Sequence, residues 1–248
     1  MSIPAIAIRS LSFSYPKQEV IQFKDLNLEV EDGERFGLFG PNGAGKTTLM
    51  NLMTGLLQYK KGSIRLLSHE ISDHAKSVNK LFGFVPQDFS FYPELSPSEN
   101  LAFFGAWYGL DQHRIKKRTA ELLAILGLGE VGNRMVHTFS GGMKRRVNLA
   151  IGVMHQPRVL FLDEPTVGVD VQSRHAIIHY LKELNQQGTT LIYTSHQLEE
   201  AEGLCEKIAL MDEGKIVVHD RLGVLLEQHR QEGLEGLFLG LTGKHFRD

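Results

Sequence analysis

Gly40-Pro41-Asn42-Gly43-Ala44-Gly45-Lys46-Thr47 satisfies the pattern G-x-x-x-x-G-K-[ST], and its reading decides the fold. Ahead of it Phe36–Phe39 reads as a short strand. Behind it Leu49, Leu52, Met53 and Leu56 fall at i, i+3, i+4 and i+7, one face of a helix. A strand, a glycine-rich turn and a helix in that order aim backbone N–H groups and a positive helix end at an anion. Residues 40–48, ending in Thr48, are therefore the expected phosphate cradle. In it Lys46 is expected to reach the outer phosphates of a nucleotide, and the Thr47 hydroxyl to hold Mg²⁺.

Downstream, Leu160-Phe161-Leu162 is apolar at every position and ends in Asp163-Glu164. Such runs suit parallel strands buried on both faces. Two acids at the end of one need a partner, because an unpaired buried carboxylate is costly. Mg²⁺ on Asp163 supplies that partner, and Glu164 is then placed to activate water as general base. An N-cap or surface acid is the plainer reading of the same pair. Gln87 follows Phe84-Val85-Pro86, and His196 follows Ile192-Tyr193-Thr194-Ser195. Either residue alone at a strand end is more often structural. Ligands of open α/β sheets bind outside the carboxyl ends of the strands, so Gly40, Gln87, Asp163, Glu164 and His196 are expected on one rim. Ser140-Gly141-Gly142 opens a helix over 143–154, a second N-terminus suited to an anion.

Short strands are expected at Ala5–Arg9, Phe23–Val30 and Ser63–Leu67, and late ones at Lys207–Met211 and Lys215–Val218. Ile177, Leu181 and Leu184 set a helix that stops near Gly188. Residues from about 88 to 155 carry helical patterns and few strand signals. The expected class is α/β, a parallel-sheet core spanning 1–220 with a helical insert at about 88–155 and a short helical tail at 221–248.

Composition narrows the function classes. Lys and Arg number 27 against 29 Asp and Glu, a formal charge of −2, which argues against nucleic-acid binding through bulk charge. The single Cys205 excludes a disulfide or a multi-thiolate metal site within one chain. The longest apolar run, 101–110, is far short of the ~18 residues that span a bilayer. The start, MSIPAIAIRSLSFSYP, lacks the features of a secretory signal, so a cytosolic position or the cytosolic face of a membrane is expected. His175 and His179 are i, i+4 without the Glu of H-E-x-x-H, and read as a solvated face. No NKxD tetrad for guanine is present near Asn79-Lys80, so ATP is preferred.

Taken in order, the phosphate loop, Gln87, Phe139-Ser140-Gly141-Gly142-Met143, 160–164, Val167-Gly168-Val169-Asp170 and His196 resemble the ATPase subunits of ABC transporters. The resemblance runs over residues 3 to 220. It implies a phosphate-loop NTPase core with an N-terminal antiparallel β subdomain and an inserted α-helical subdomain. It also implies ATP and Mg²⁺ as cofactors, with Gln87 joining Thr47 and Asp163 around the metal. Lys46, Gln87, Glu164 and His196 are the catalytic set it implies, His196 contacting the γ-phosphate, with Tyr15 stacking on adenine. Two chains would pair head to tail, so that Ser140, Gly141, Gly142 and Asp170 of one complete the ATP site of the other.

Phe139 and Met143 depart from the Leu and Gln of many members. Met143 followed by Lys144-Arg145-Arg146 resembles an exporter branch that includes drug-resistance systems, as does the tail at 234–243. In that branch the membrane permease is a separate protein. The aromatic run from Phe89 to Tyr108 matches the groove that receives a short helix of the membrane partner; packing of the helical insert explains it equally well. A soluble ABC ATPase acting on the ribosome or DNA is the alternative, weakened by the absence of a second ATPase unit or long coiled coil. No nucleic-acid partner is expected.

Overall fold

Neighbouring side chains of the central strands point into two different cores, and that division sets the layers. The structure is a computed structural model that describes residues 3–16, 21–73 and 76–243. Residues 244–248 of the expected tail lie outside the described residues. In order, the elements are β1 (Ile6–Phe13), β2 (Phe23–Val30), β3 (Arg35–Phe39), α1 (Lys46–Met53), β4 (Lys61–Leu66), β5 (His69–Glu70) and α2 (Lys76–Asn79). Then come β6 (Phe82–Val85), α3 (Pro97–Trp107), α4 (Gln112–Ile125), α5 (Gly141–Gly152), β7 (Val159–Asp163) and α6 (Val171–Gln186). The chain continues with β8 (Thr190–Thr194), α7 (Leu198–Leu204), β9 (Lys207–Asp212), β10 (Lys215–Arg221), α8 (Leu222–His229) and α9 (Leu234–Thr242).

The larger sheet runs β10-β9-β3-β8-β7-β6, parallel except for β10, which pairs antiparallel with β9. The smaller sheet, β2-β1-β4-β5, is antiparallel. Val159 and Phe161 of β7 join α1 and the smaller sheet in one core, while Leu160 and Leu162 face the other core with α5 and α6. β8 divides the same way, Ile192 to the first and Leu191 and Tyr193 to the second. The continuous apolar runs are thus accounted for by burial on both faces.

The helical insert has its own local logic. Ser96 caps α3 in a capping box with Glu99, and Asp111 caps α4 by accepting from the Arg114 N–H. Two expectations are corrected. The strand begun at Ala5–Arg9 continues to Phe13 because Ser10, at φ 47°, forms an irregularity in the pairing that pattern alone reads as an end. The helix after Lys46 stops at Met53, with Thr54 as its cap and Gly55 at φ 74°, so Leu56 leaves the apolar face and is 64% exposed.

At the far end α9 is anchored: Leu234, Leu237 and Phe238 are buried in the core that also holds Leu198, Ala201 and Leu204 of α7. The Leu234 N–H donates to the Glu202 carboxylate. The helix that follows His196 is therefore packed against the C-terminal pair of helices.

His155 carries a buried titration. Its ring stacks on Tyr108 with centroids 3.6 Å apart, and Nε2 bonds the Phe82 carbonyl at 2.8 Å. Burial pushes its pKa down to about 4, opposed in part by the Phe82 bond. The unfolded chain takes up that proton near pH 6.5, so the stability His155 contributes is complete above pH 6.5 and drains away as pH falls toward 4. The loss amounts to about 3 kcal/mol at most. His155→Phe retains the stack and should melt with a shallower acid dependence between pH 6.5 and 4; parallel melting curves for the two proteins would contradict this.

Candidate functional site

Four neighbouring strands deliver the polar residues to one rim. In the order β3-β8-β7-β6, their carboxyl ends run into Gly40, then Ser195-His196, then Asp163-Glu164, then Pro86-Gln87. The convergence expected from strand ends is therefore present in the sheet. Glu164 is its centre. One carboxylate oxygen, Oε1, pairs with His196 Nε2, and the other, Oε2, accepts from Gln87 Nε2 at 3.2 Å. The Glu164 N–H donates to the Thr194 carbonyl at 3.2 Å and to Thr194 Oγ1 at 3.1 Å. Its φ of 51° is a left-handed value, a conformation that costs a non-glycine residue of the order of 1 kcal/mol. Asp163 beside it is 3% exposed and accepts from the Thr194 hydroxyl at 2.7 Å through Oδ1.

Lys46 completes the charge set. It is 7% exposed, and its Nζ donates back to the loop carbonyls of Gly40 at 2.7 Å and Pro41 at 3.1 Å. The ammonium is thus folded across the mouth of the loop. Burial lowers its pKa, while Glu164 and Asp163 draw it back up. Burial likewise raises the Glu164 pKa; His196 and Lys46 oppose this, and the neighbouring Asp163 adds to it. The loop turns at Gly43 and Gly45, with φ of 80° and 106°, values that side-chain-bearing residues rarely adopt. A Cβ on Gly43 would meet nothing within 4 Å, so its backbone conformation and not crowding is what favours glycine there. Thr47 is exposed at the first turn of α1, and Thr48 is tied at 2.8 Å to the Tyr15 hydroxyl. Tyr15 is half-buried, its ring edge-on to Phe13 at 5.0 Å.

Ser140, Gly141, Gly142 and Asp170 form a separate cluster. Ser140 caps α5 by accepting from the Met143 N–H at 3.3 Å, and Asp170 caps α6 by accepting from Ser173 N–H and Oγ, both at 2.8 Å. The two helix starts touch: a Cβ on Gly142 would lie 2.8 Å from Ser173 Oγ and 3.0 Å from Asp170 Oδ2. Gly142 is therefore demanded by packing within this chain. Ser140 and Gly141 remain exposed, and the hydrogen bonds of Ser140 run to the Met143 and Lys144 N–H groups of its own helix. The structure thus divides the predicted residues into a Lys46–Gln87–Asp163–Glu164–His196 group and a Ser140–Asp170 group.

Several residues escaped the sequence reading. Arg145 lies 7% exposed between the two groups. Asn148, one turn on, holds Ser90 and the Pro86 carbonyl. Glu200, buried on α7, accepts from Thr166 at 2.8 Å and from Tyr193, and pairs with Arg174 at 3.5 Å. In the sequence Lys144-Arg145-Arg146 carries only the resemblance to an exporter branch, and the helical period, which turns Arg145 and Asn148 inward together, is the signal that finds them. The aromatic segment is divided between the core and the surface. Phe91 and Phe104 pack on the core, while Phe89, Tyr92, Phe103 and Trp107 are exposed, Trp107 at 77%. His175 and His179 lie on an exposed face, His179 against Glu183.

The raised pKa of Glu164 has a stability consequence. Ionising it costs the folded state, so that cost is absent at low pH and felt as pH rises through the folded pKa. Glu164→Gln should therefore melt at or above wild type at pH 8, with the difference shrinking toward pH 4.5. A variant melting below wild type at pH 8 would show that the lost His196 contact outweighs burial.

Comparison with known proteins fits this geometry. The ABC transporter family model matches residues 23–167. The linearmycin resistance ATP-binding protein LnrL of Bacillus subtilis (strain 168) is 43% identical over 204 residues, 82% of this chain and 65% of that protein. Nod factor export ATP-binding protein I of Ralstonia nicotianae is 37% identical over 220 residues, 89% of this chain and 68% of that one. The match thus spans about two thirds of each relative's length. A solved structure described as the ATP binding subunit of an ABC transporter superposes with a TM-score of 0.87 at 27% identity, covering 96% of this chain and 99% of that one. With the loop, the paired acids and the two helix starts all inside or beside the matched region, the chain belongs to the ABC transporter family.

Proposed function

We propose that this chain hydrolyses ATP as a head-to-tail dimer and drives export through a separate integral membrane permease. The observation that carries the reading is Glu164, a buried carboxylate gripped by Gln87 and His196, with Asp163 beside it and the Lys46 ammonium in range. Phosphoryl transfer asks a protein mainly for positioning and charge stabilisation. Lys46, released from the Gly40 and Pro41 carbonyls, and the N–H groups of the loop over 40–48, which all its residues but Pro41 carry, bind the phosphates. Tyr15, just past the end of β1 and tied to Thr48, stacks on the adenine. Glu164 accepts a proton from the attacking water, and its raised pKa brings it closer to working pH than an ordinary glutamate. His196 and Gln87 hold that carboxylate and meet the γ-phosphate side of the site.

Mg²⁺ fits the residues present. Among the described residues there is no group of three or more His, Cys, Asp and Glu able to cage a metal. Mg²⁺ commonly takes one or two carboxylates and completes its shell with water and phosphate oxygens. Asp163, Thr47 and Gln87 are the side chains that would hold it. When bound, the ion neutralises charge on the phosphates.

Ser140 and Gly141 are exposed beyond the capping of their own helix, which supports their use on a partner's ATP together with Gly142 and Asp170. No helix among the described residues is long and apolar enough to cross a membrane. The permease is read as a separate subunit on the names of the relatives, which are ATP-binding proteins of resistance and export. The exposed aromatics Phe89, Tyr92, Phe103 and Trp107 are its docking surface, on the cytoplasmic face of the membrane.

Glu164→Gln should lower turnover by about a hundredfold or more and trap an ATP-bound dimer on a sizing column. Turnover near wild type would remove Glu164 as the base. Lys46→Ala should weaken ATP binding, measured by titration calorimetry, and an unchanged affinity would contradict its phosphate contact. The acid limb of the kcat profile should lie above pH 4.5, the ordinary glutamate value. Isolation of the tagged chain from its native cell with mild detergent should bring down a polytopic membrane protein in stoichiometric amount. Ribosomal or DNA-bound proteins in its place would overturn the transport reading while leaving the ATP site intact.

A further inference from the structure

Arg145 is a buried cation whose hydrogen bonds all go to main-chain carbonyls. Its guanidinium donates to the carbonyl of Gln87, to that of Pro86 at 3.4 Å, and through Nε to that of Val167 at 3.3 Å. The guanidinium carbon lies over the Phe89 ring, 4.8 Å from its centroid. Three acceptors from two loops around one planar fork are a geometry that only guanidinium serves well. Desolvating a cation without a directly bonded carboxylate is unfavourable, and an apolar side chain would fill the space at less cost. The favourable charges at longer range are Glu164 and Asp88. Asn148, three residues along the same helix face, bonds the Pro86 carbonyl at 3.2 Å and accepts from Ser90 N–H and Oγ at 3.0 and 2.8 Å. Helix α5 therefore grips the chain on both sides of Gln87 while its first turn carries Ser140-Gly141-Gly142.

We propose that Arg145 is a positioning residue: by clamping the main chain of Gln87 to that of Val167, it holds the Gln87 amide on the Glu164 carboxylate. The clamp also joins the helix start that would meet a partner's ATP to the residue that touches this chain's own Glu164. Phe89, under the guanidinium and 5.1 Å from Phe91, extends the same contact to the exposed aromatic surface. The inference rests on the reading of Gln87 and Glu164 as parts of a hydrolytic site.

The test is a double-mutant cycle in steady-state ATP hydrolysis by the full chain, with kcat and KM read separately and melting temperature as the folding control. Arg145→Met keeps the apolar stem and should lower kcat by about tenfold or more while KM for ATP stays within about twofold. Added to Gln87→Ala, it should cause no further loss. Arg145→Lys has one ammonium for two loops and should behave like the Met variant; it also runs the cycle if Arg145→Met fails to fold. Losses that multiply in the double variant, or an Arg145→Met kcat within about twofold of wild type, overturn the proposal. If Gln87→Ala itself turns over like wild type, the reading of the site fails and this inference with it. A crippled Gln87→Ala with multiplying losses overturns the inference alone.

Discussion

The pairing of β7 with β8 holds the site together. In register, Asp163 faces Thr194, and that threonine serves both acids: its hydroxyl donates to the Asp163 carboxylate, and its oxygens accept the Glu164 N–H. Both strands are buried along their whole length, so the carboxylates sit where water cannot screen them. That placement is unfavourable in isolation, and it explains the surroundings. Lys46 supplies opposite charge, while His196 and Gln87 take the two oxygens of Glu164. Each of these arrives at the end of a different strand of the same sheet, so the charge balance depends on strand order.

A second layer of organisation is the contact between helix starts. Gly142 lets the first turn of α5 meet Asp170 and Ser173 at the first turn of α6. The loop between β7 and α6 leaves Glu164 and ends at Asp170, with Thr166 held by the buried Glu200 of α7. One segment of seven residues thus runs from the Glu164 carboxylate to the exposed face proposed for dimer contact. Movement of one end without the other would break the Thr166 bond or the Asp170 cap.

Much of the site was legible because its chemistry is local in sequence. The loop, the acid pair and the Ser-Gly-Gly helix start each declare themselves within eight residues. Gln87 and His196 needed one further step, the rule that ligands gather at the carboxyl ends of parallel strands, and the strand order brings both residues to one rim. Leu56 shows the limit of periodicity: its spacing continues the helix, but the backbone at Thr54 and Gly55 had already ended it. Ser10 shows another, since an irregularity within a strand resembles its end.

Sequence alone determined the fold class, the phosphate loop, the acids and the membership of the family, because short-range backbone demands and a two-faced apolar pattern leave few alternatives. Tertiary structure decided which polar residues meet. Arg145 entered the sequence reading only within a run that resembles an exporter branch, and packing against Pro86, Gln87, Val167 and Phe89, all at least 20 residues distant, buries it. Glu200 likewise reads as one more helix acid until Thr166 and Tyr193 close over it. Contacts between segments far apart in the chain have no local signature, so burial of a charge becomes visible only once the layers are assembled.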